Sequence, residues 1–274
     1  MSVAPARVVV FAEDSAWWAR DVLRALLVEM VRGLWRPPGS LDGALEFVAD
    51  EEIGVEVHRL SVGCAWKDKR TKATSFVRSL TDLLRAGCIV VVHFDADCLW
   101  SERHKQDENG DTRAKFRRLI FNRLKESPPA PDWRERLLLF VPHDELEAWL
   151  FQNTEAVRVV LRAAGRLNPG VEALLSDWAK DRAALDRTKS PKDQLRSPQG
   201  HILVETLCLV PLAEAGFPTA EVRALGTSYA YAMAGVRRCQ ALRQAVQRAT
   251  KARRRAEAAQ AWRGMRQDPH EERP

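Results

Sequence analysis

The chain has 274 residues, of which 46% are hydrophobic and 29% charged, the composition of a folded globular protein that can bury a substantial core. Its 43 basic and 37 acidic residues give a net charge of +6, which suits an anionic partner without requiring one. No stretch approaches the ~20 uninterrupted apolar residues of a membrane span, and the N-terminus lacks the features of a signal peptide. We therefore expect a cytoplasmic protein with no membrane partner. The five cysteines are scattered and form no Cys-x-x-Cys pair, which argues against a disulfide framework and a structural zinc site.

Strand and helix patterns alternate from the start of the chain. A valine-rich run at residues 7–12 predicts a buried strand that stops at Glu13, and a helix is predicted from Ser15 because apolar residues then recur every three or four positions. Residues 41–56 are acidic and poorly periodic. Residues 55–62 alternate between apolar and polar side chains and are predicted to form the second strand.

A strongly basic loop follows that second strand. Its cations, which we refer to together as the basic loop, are Lys67, Lys69, Arg70 and Lys72. A solvated surface loop is the simplest explanation of such a run. Its position after a strand nevertheless predicts that it lies at the carboxyl edge of the sheet, where open α/β sheets bind ligands. A helix is predicted next, over residues 75–85.

The third strand carries the most informative pattern in the chain. Residues 90–97 read Val-Val-Val-His-Phe-Asp-Ala-Asp, a β-branched run typical of a strand buried on both faces, and it ends in Asp95 and Asp97. Two carboxylates at one strand end repel each other unless a cation, a proton or solvent relieves them. A divalent metal site is the leading interpretation. The alternative is that Asp95 caps the following turn while Asp97 faces water.

The second half of the chain is predicted to be mainly helical. After a helix with a basic face at residues 112–126, a fourth strand at 137–142 runs into a helix whose first turn contains Asp144, Glu145 and Glu147. Beyond Arg162 the pattern indicates short helices broken by proline and glycine. We therefore predict an α/β domain over residues 1–150 and a helical appendage over residues 151–274, with a basic, disordered C-terminal end.

Alternating strands and helices with long connections predict a largely parallel, four-stranded sheet flanked by helices. Its strands would bring their C-terminal ends to one edge, where the acids Glu13, Asp95, Asp97, Glu145 and Glu147 would meet. Mg²⁺ and Mn²⁺ prefer oxygen ligands, so a metal site is expected there, although a chance grouping of acids is the competing explanation.

These residues carry a family resemblance. A strand ending in Glu13 and a later strand ending in Asp95-Ala96-Asp97 resemble the Toprim domain over about residues 6–150. The stretch Glu145-Leu146-Glu147-Ala148-Trp149-Leu150, followed by Ser190-Pro191-Lys192, is similar to small OLD- and RloB-type Toprim proteins of bacterial defence loci. The resemblance implies a Toprim-like fold, an anti-phage role, metal-binding acids at Glu13, Asp95, Asp97 and Glu147, and a phosphate contact at Lys192. Glu13 departs from the family pattern because aspartate, not glycine, follows it.

Three functions are compatible with these residues. The first is an Mg²⁺- or Mn²⁺-dependent nuclease, with DNA as the expected substrate and with a partner ATPase and the oligomeric state left open. The second is a HAD-like phosphatase that uses Asp95 as nucleophile and Asp97 as acid or base. The third is a non-catalytic subunit that binds nucleic acid through basic helix faces.

Overall fold

The computed structural model describes residues 4–12, 17–41, 43–48, 71–95, 120–143, 145–188, 190–197, 199–200, 209–215 and 228–266. The predictions for Glu13, Asp97 and most of the basic loop lie outside these residues. Lys72 of that loop falls within a helix that begins at Thr71, four residues earlier than predicted.

Four strands form one sheet in the described part of the chain: β1 (Ala6–Phe11), β2 (Leu45–Phe47), β3 (Ile89–His93) and β4 (Leu137–Phe140). Their order is β2-β1-β3-β4 and every pairing is parallel. The register places Phe11 beside Val92 and His93 beside Phe140, so the strand ends of β1, β3 and β4 are level. The predicted α/β class with a parallel four-stranded sheet is confirmed, and it is consistent with a Toprim-like fold.

Helices cover both faces of the sheet. The described helices are α1 (Trp17–Trp35), α2 (Thr71–Arg85), α3 (Asn122–Glu126), α4 (Trp133–Arg136), α5 (Leu146–Leu150), α6 (Thr154–Ala163), α7 (Pro169–Lys180), α8 (Arg182–Asp186), α9 (Pro191–Gln194), α10 (Leu209–Glu214), α11 (Ser228–Arg238) and α12 (Gln240–Arg266). Among them, none is both long and apolar enough to cross a membrane. The run of helices from α6 to α12 confirms a helical C-terminal region.

The strands separate two apolar cores because successive side chains point to opposite faces. Val8 and Val10 contribute to a core shared with α1 and the C-terminal helices, whereas Val9 and Phe11 contribute to a core shared with α2, α3 and α4. Every residue of β3 is buried, as expected for a central parallel strand. The first core joins both predicted domains, whose boundary near residue 150 stays a prediction.

The edge strand β2 lies within residues 41–56, the acidic stretch with no clear periodicity in which no strand is predicted before residue 55. It has three residues, which are too few to display an alternation, and one of its two sides is unpaired in the described sheet. Backbone hydrogen bonds from the Ala6 amide to the Ala44 carbonyl and from the Val48 amide to the Val8 carbonyl extend its pairing with β1. The strand predicted at residues 55–62 lies outside the described residues.

Candidate functional site

Asp95 lies two residues beyond β3, at the carboxyl edge of the sheet. The Nε2–H of His93, the buried last residue of β3, donates a hydrogen bond to Oδ1 of Asp95 at 3.1 Å. The Asp95 side chain keeps 28% of its surface exposed. The imidazole therefore fixes one carboxylate oxygen and leaves Asp95 accessible from solvent.

Glu145 and Glu147 enter the same edge from β4. Glu145 has an extended backbone at the position before α5, and Glu147 lies in the first turn of that helix. Both side chains are largely buried, with 14% and 9% exposed. The buried apolar residues of α5 hold the helix against the core, and this packing turns the glutamates inward: Leu146, Ala148, Trp149 and Leu150.

Lys192 joins the two glutamates from a distant part of the chain. Its Nζ lies 3.1 Å from Oε1 of Glu145 and 4.0 Å from Oε1 of Glu147. The residue belongs to the short helix α9, which begins at the buried Pro191 after Ser190, a residue with a left-handed backbone (φ +42°). The proline presets the first helical φ, so the chain turns sharply into α9 where it meets α5.

A buried polar network anchors α5 from behind. The Nε1–H of Trp149 donates to Oγ of Ser228 at 2.7 Å, and the Ser228 hydroxyl donates to Oδ1 of Asp186 at 2.7 Å. The Ser228 amide donates to the other oxygen of the same carboxylate at 3.0 Å. Three helices, α5, α8 and α11, are thus tied together by satisfied polar groups, which favours a single orientation of α5 and of the glutamates on it.

The charges of these side chains shift one another's pKa values. The pKa of Glu145 is raised to about 7, chiefly by burial and then by the charge of Glu147, while Lys192 opposes the rise. Burial also raises the pKa of Glu147, against the opposing effect of Lys192, and the charge of Asp95 adds to the rise for both glutamates. For Lys192, burial alone would lower the pKa, but the three carboxylates raise it. The cluster Asp95, Glu145, Glu147 and Lys192, which we name the acid cluster, is therefore electrostatically coupled.

The acid cluster has the type of ligand that a hard divalent cation prefers, but not a complete set of ligands among the described residues. All three acids offer oxygen ligands, and Oε2 of Glu145 is buried with no hydrogen-bond partner in the described part of the chain. Within the described residues, however, no three His, Cys, Asp or Glu side chains are arranged closely enough to hold a metal ion. A complete ligand set would have to draw on Glu13 and Asp97, which follow β1 and β3 in the sequence and lie outside the described residues.

The structure brings together three of the residues singled out from the sequence: Asp95, Glu147 and Lys192. Two members of the site are not among the predicted site residues. His93 stands in the third-strand motif without a predicted role, and Glu145 is predicted to reach this edge but not to act in the site. The signal for Glu145 was its position two residues before Glu147, immediately after a strand that runs into a helix.

Comparisons of the chain with protein-family models, with curated proteins and with solved structures gave no match.

Proposed function

We propose that the protein is a metal-dependent nuclease that hydrolyses phosphodiester bonds of nucleic acid at the carboxyl edge of its sheet. The observation that carries this proposal is the grouping of Asp95, Glu145, Glu147 and Lys192 where β3 and β4 end, with Nζ of Lys192 3.1 Å from Glu145 and 4.0 Å from Glu147. Parallel α/β sheets bind their ligands at this edge. The resemblance to Toprim proteins of defence loci adds the expectation of an anti-phage role.

The raised pKa values of the glutamates support a cationic ligand. Buried carboxylates with raised pKa values are destabilised in their charged form, and Lys192 supplies one compensating charge to three acids. A bound Mg²⁺ or Mn²⁺ would offset the remaining repulsion, polarise the phosphodiester and lower the pKa of a bound water. We assign Asp95 and Glu147 as its ligands among the described residues, and Glu13 and Asp97 as further ligands from the sequence.

The protein residues have distinct parts in this scheme. His93 holds one oxygen of Asp95 in place through a hydrogen bond. Because both oxygens belong to one planar carboxylate, the position of the second oxygen is restricted as well. Lys192, with 39% of its side chain exposed, can leave the glutamates and contact a phosphate oxygen through its flexible stem. Glu145 holds Lys192 at the site rather than contacting substrate. For Glu13 two roles are proposed as alternatives: it is a metal ligand, or it is the general base that accepts the proton of the attacking water.

The test is nucleic-acid cleavage by purified Asp95→Asn, Glu147→Gln and Glu145→Gln variants in Mg²⁺ and in Mn²⁺. We expect the first two to lose at least ~10–100-fold in cleavage rate, and Glu145→Gln to lose less. Mn²⁺ binding measured by isothermal titration should weaken in the first two variants alone. The matched control is Asp193→Asn, which removes a half-exposed carboxylate next to Lys192 on α9.

Three outcomes would contradict the proposal. Cleavage that persists in EDTA would exclude a metal-dependent reaction, and unchanged Mn²⁺ binding in Asp95→Asn would remove the proposed ligand. A phosphoaspartate trapped on Asp95 would favour the phosphatase. Tight nucleic-acid binding without cleavage by the wild-type protein would favour the non-catalytic subunit.

A further inference from the structure

A second charged feature lies between the end of α1 and the long helix α12. It is a groove with a volume of about 630 Å³. One wall is the segment Trp35–Pro38, and the other is the face of α12 from Arg243 to Ala258. We name it the basic groove.

All the charged residues that line the groove in the described part of the chain are positive. Among the described residues, its lining includes these five positive side chains and no carboxylate: Arg36, Arg243, Lys251, Arg254 and Arg255. None of these five forms an ion pair with a described residue. Several other described arginines do pair with a neighbouring acid, as Arg158 does with Glu172. Five uncompensated cations around one concavity create a local positive potential that attracts an anion.

Arg253, which lies on the flank of α12, connects the two walls of the groove. Its Nη1 donates to the carbonyl oxygen of Pro38 at 3.3 Å, and its Nε pairs with Glu257 at 3.1 Å. The loop can approach this closely because residue 39 is glycine with a positive φ of +70°, and a side chain there would overlap the guanidinium. A hydrogen bond thus links the loop at Pro38 to α12 beside the groove.

The basic groove is remote from the acid cluster. Helix α1 starts after the carboxyl end of β1 and leads to β2, which is parallel to β1, so its last turn lies at the opposite edge of the sheet. A helix of 19 residues spans about 28 Å. An anion in this groove therefore cannot contact Asp95 or Glu147, and the groove is a separate site.

We propose that the basic groove binds a single strand of nucleic acid through its phosphates. Arg243 and Arg255 are twelve residues apart on α12, about 18 Å, a span that can contact several successive phosphates of one strand. The planar guanidinium fork of arginine contacts two oxygens of one phosphate. Trp262, 64% exposed and four residues beyond Ala258 on the same helix face, offers a ring on which an unpaired base can stack.

The composition of α12 favours this occupant over a membrane surface. Helices that lie on lipid combine a basic face with bulky apolar side chains that enter the acyl region. The exposed part of α12 between Lys251 and Trp262 offers alanines and a single large apolar residue. Its cations also line a concavity, which suits a strand better than a flat bilayer.

The experiment compares two variants of the full chain with equal loss of charge. The groove variant is Lys251→Gln, Arg254→Gln and Arg255→Gln, and the control is Arg237→Gln, Arg238→Gln and Arg248→Gln, three exposed cations that do not line the groove. Glutamine preserves helix propensity, and circular dichroism checks the fold of both variants. Binding of a labelled 20-nucleotide single-stranded DNA and RNA is followed by fluorescence anisotropy in EDTA between 0.05 and 0.3 M salt, values chosen on the order of physiological ionic strength.

We expect the groove variant to bind at least one of the two strands about 10²-fold more weakly at ~0.1 M salt, with a slope of log affinity against log salt reduced by about 2. The control should lie within a few-fold of wild type. Equal weakening of both variants would refute a specific groove. Unchanged DNA and RNA binding by the groove variant would also overturn the proposal. Binding of anionic vesicles and of polyglutamate is measured with the same variants, and a loss confined to either of these ligands would overturn it too. Because the assay is run without divalent metal, its result is independent of whether the protein cleaves nucleic acid.

Discussion

Glu145 is predicted to destabilise the metal-free protein in a pH-dependent way. Its pKa is raised from 4.5 to about 7 in the folded state, chiefly by burial. The folded protein thus binds the proton more tightly than the unfolded chain, so stability is highest below pH 4.5 and is lost as the pH rises towards 7. At about 1.36 kcal/mol per pKa unit, the rise corresponds to about 3 kcal/mol in the free energy of unfolding.

The substitution Glu145→Gln removes this titration and keeps an oxygen that can accept a hydrogen bond from Lys192. We expect the variant to be more stable than wild type by up to about 3 kcal/mol at pH 8 and by close to nothing at pH 4.5. Urea unfolding followed by circular dichroism in EDTA, repeated across this pH range, measures the difference. Glu126→Gln, which changes an exposed glutamate at the end of α3, is the control. Parallel pH profiles for wild type and Glu145→Gln would refute the reasoning.

Three further predictions concern other parts of the fold. Ser228→Ala leaves Trp149 without its acceptor and Asp186 without its hydroxyl donor, so urea unfolding should show a loss of about 1–3 kcal/mol, and a loss below measurement error would contradict the network. Gly39→Ala forces a non-glycine residue into a positive φ and displaces Arg253, which should cost about 1–2 kcal/mol in the same assay; wild-type stability would show that the loop relaxes freely. Neutralising the four cations of the basic loop should flatten the salt dependence of nucleic-acid binding measured by anisotropy, and an unchanged slope would remove that loop from the binding surface.

The sequence by itself determined the parts of the fold that depend on local periodicity. The valine run of β3 and the leucine run before Pro142 located two buried strands within a few residues of their ends, because a strand covered on both faces must be apolar throughout. The same reasoning placed Asp95 and Glu147 at one edge, since parallel strands end together. The short strand β2 could not be predicted in this way because three residues at a sheet edge leave no period to read.

Only the tertiary structure decided which distant groups meet. Lys192 reaches Glu145 and Glu147 because α9 packs against α5, and no local pattern encodes that contact between segments some 45 residues apart. Trp149 is fixed by Ser228 for the same reason. The raised pKa values likewise follow from burial and from neighbours brought by packing, and the basic groove exists because α12 returns to the end of α1. Periodicity reports which face of an element is buried, whereas long-range packing alone determines what is buried against it.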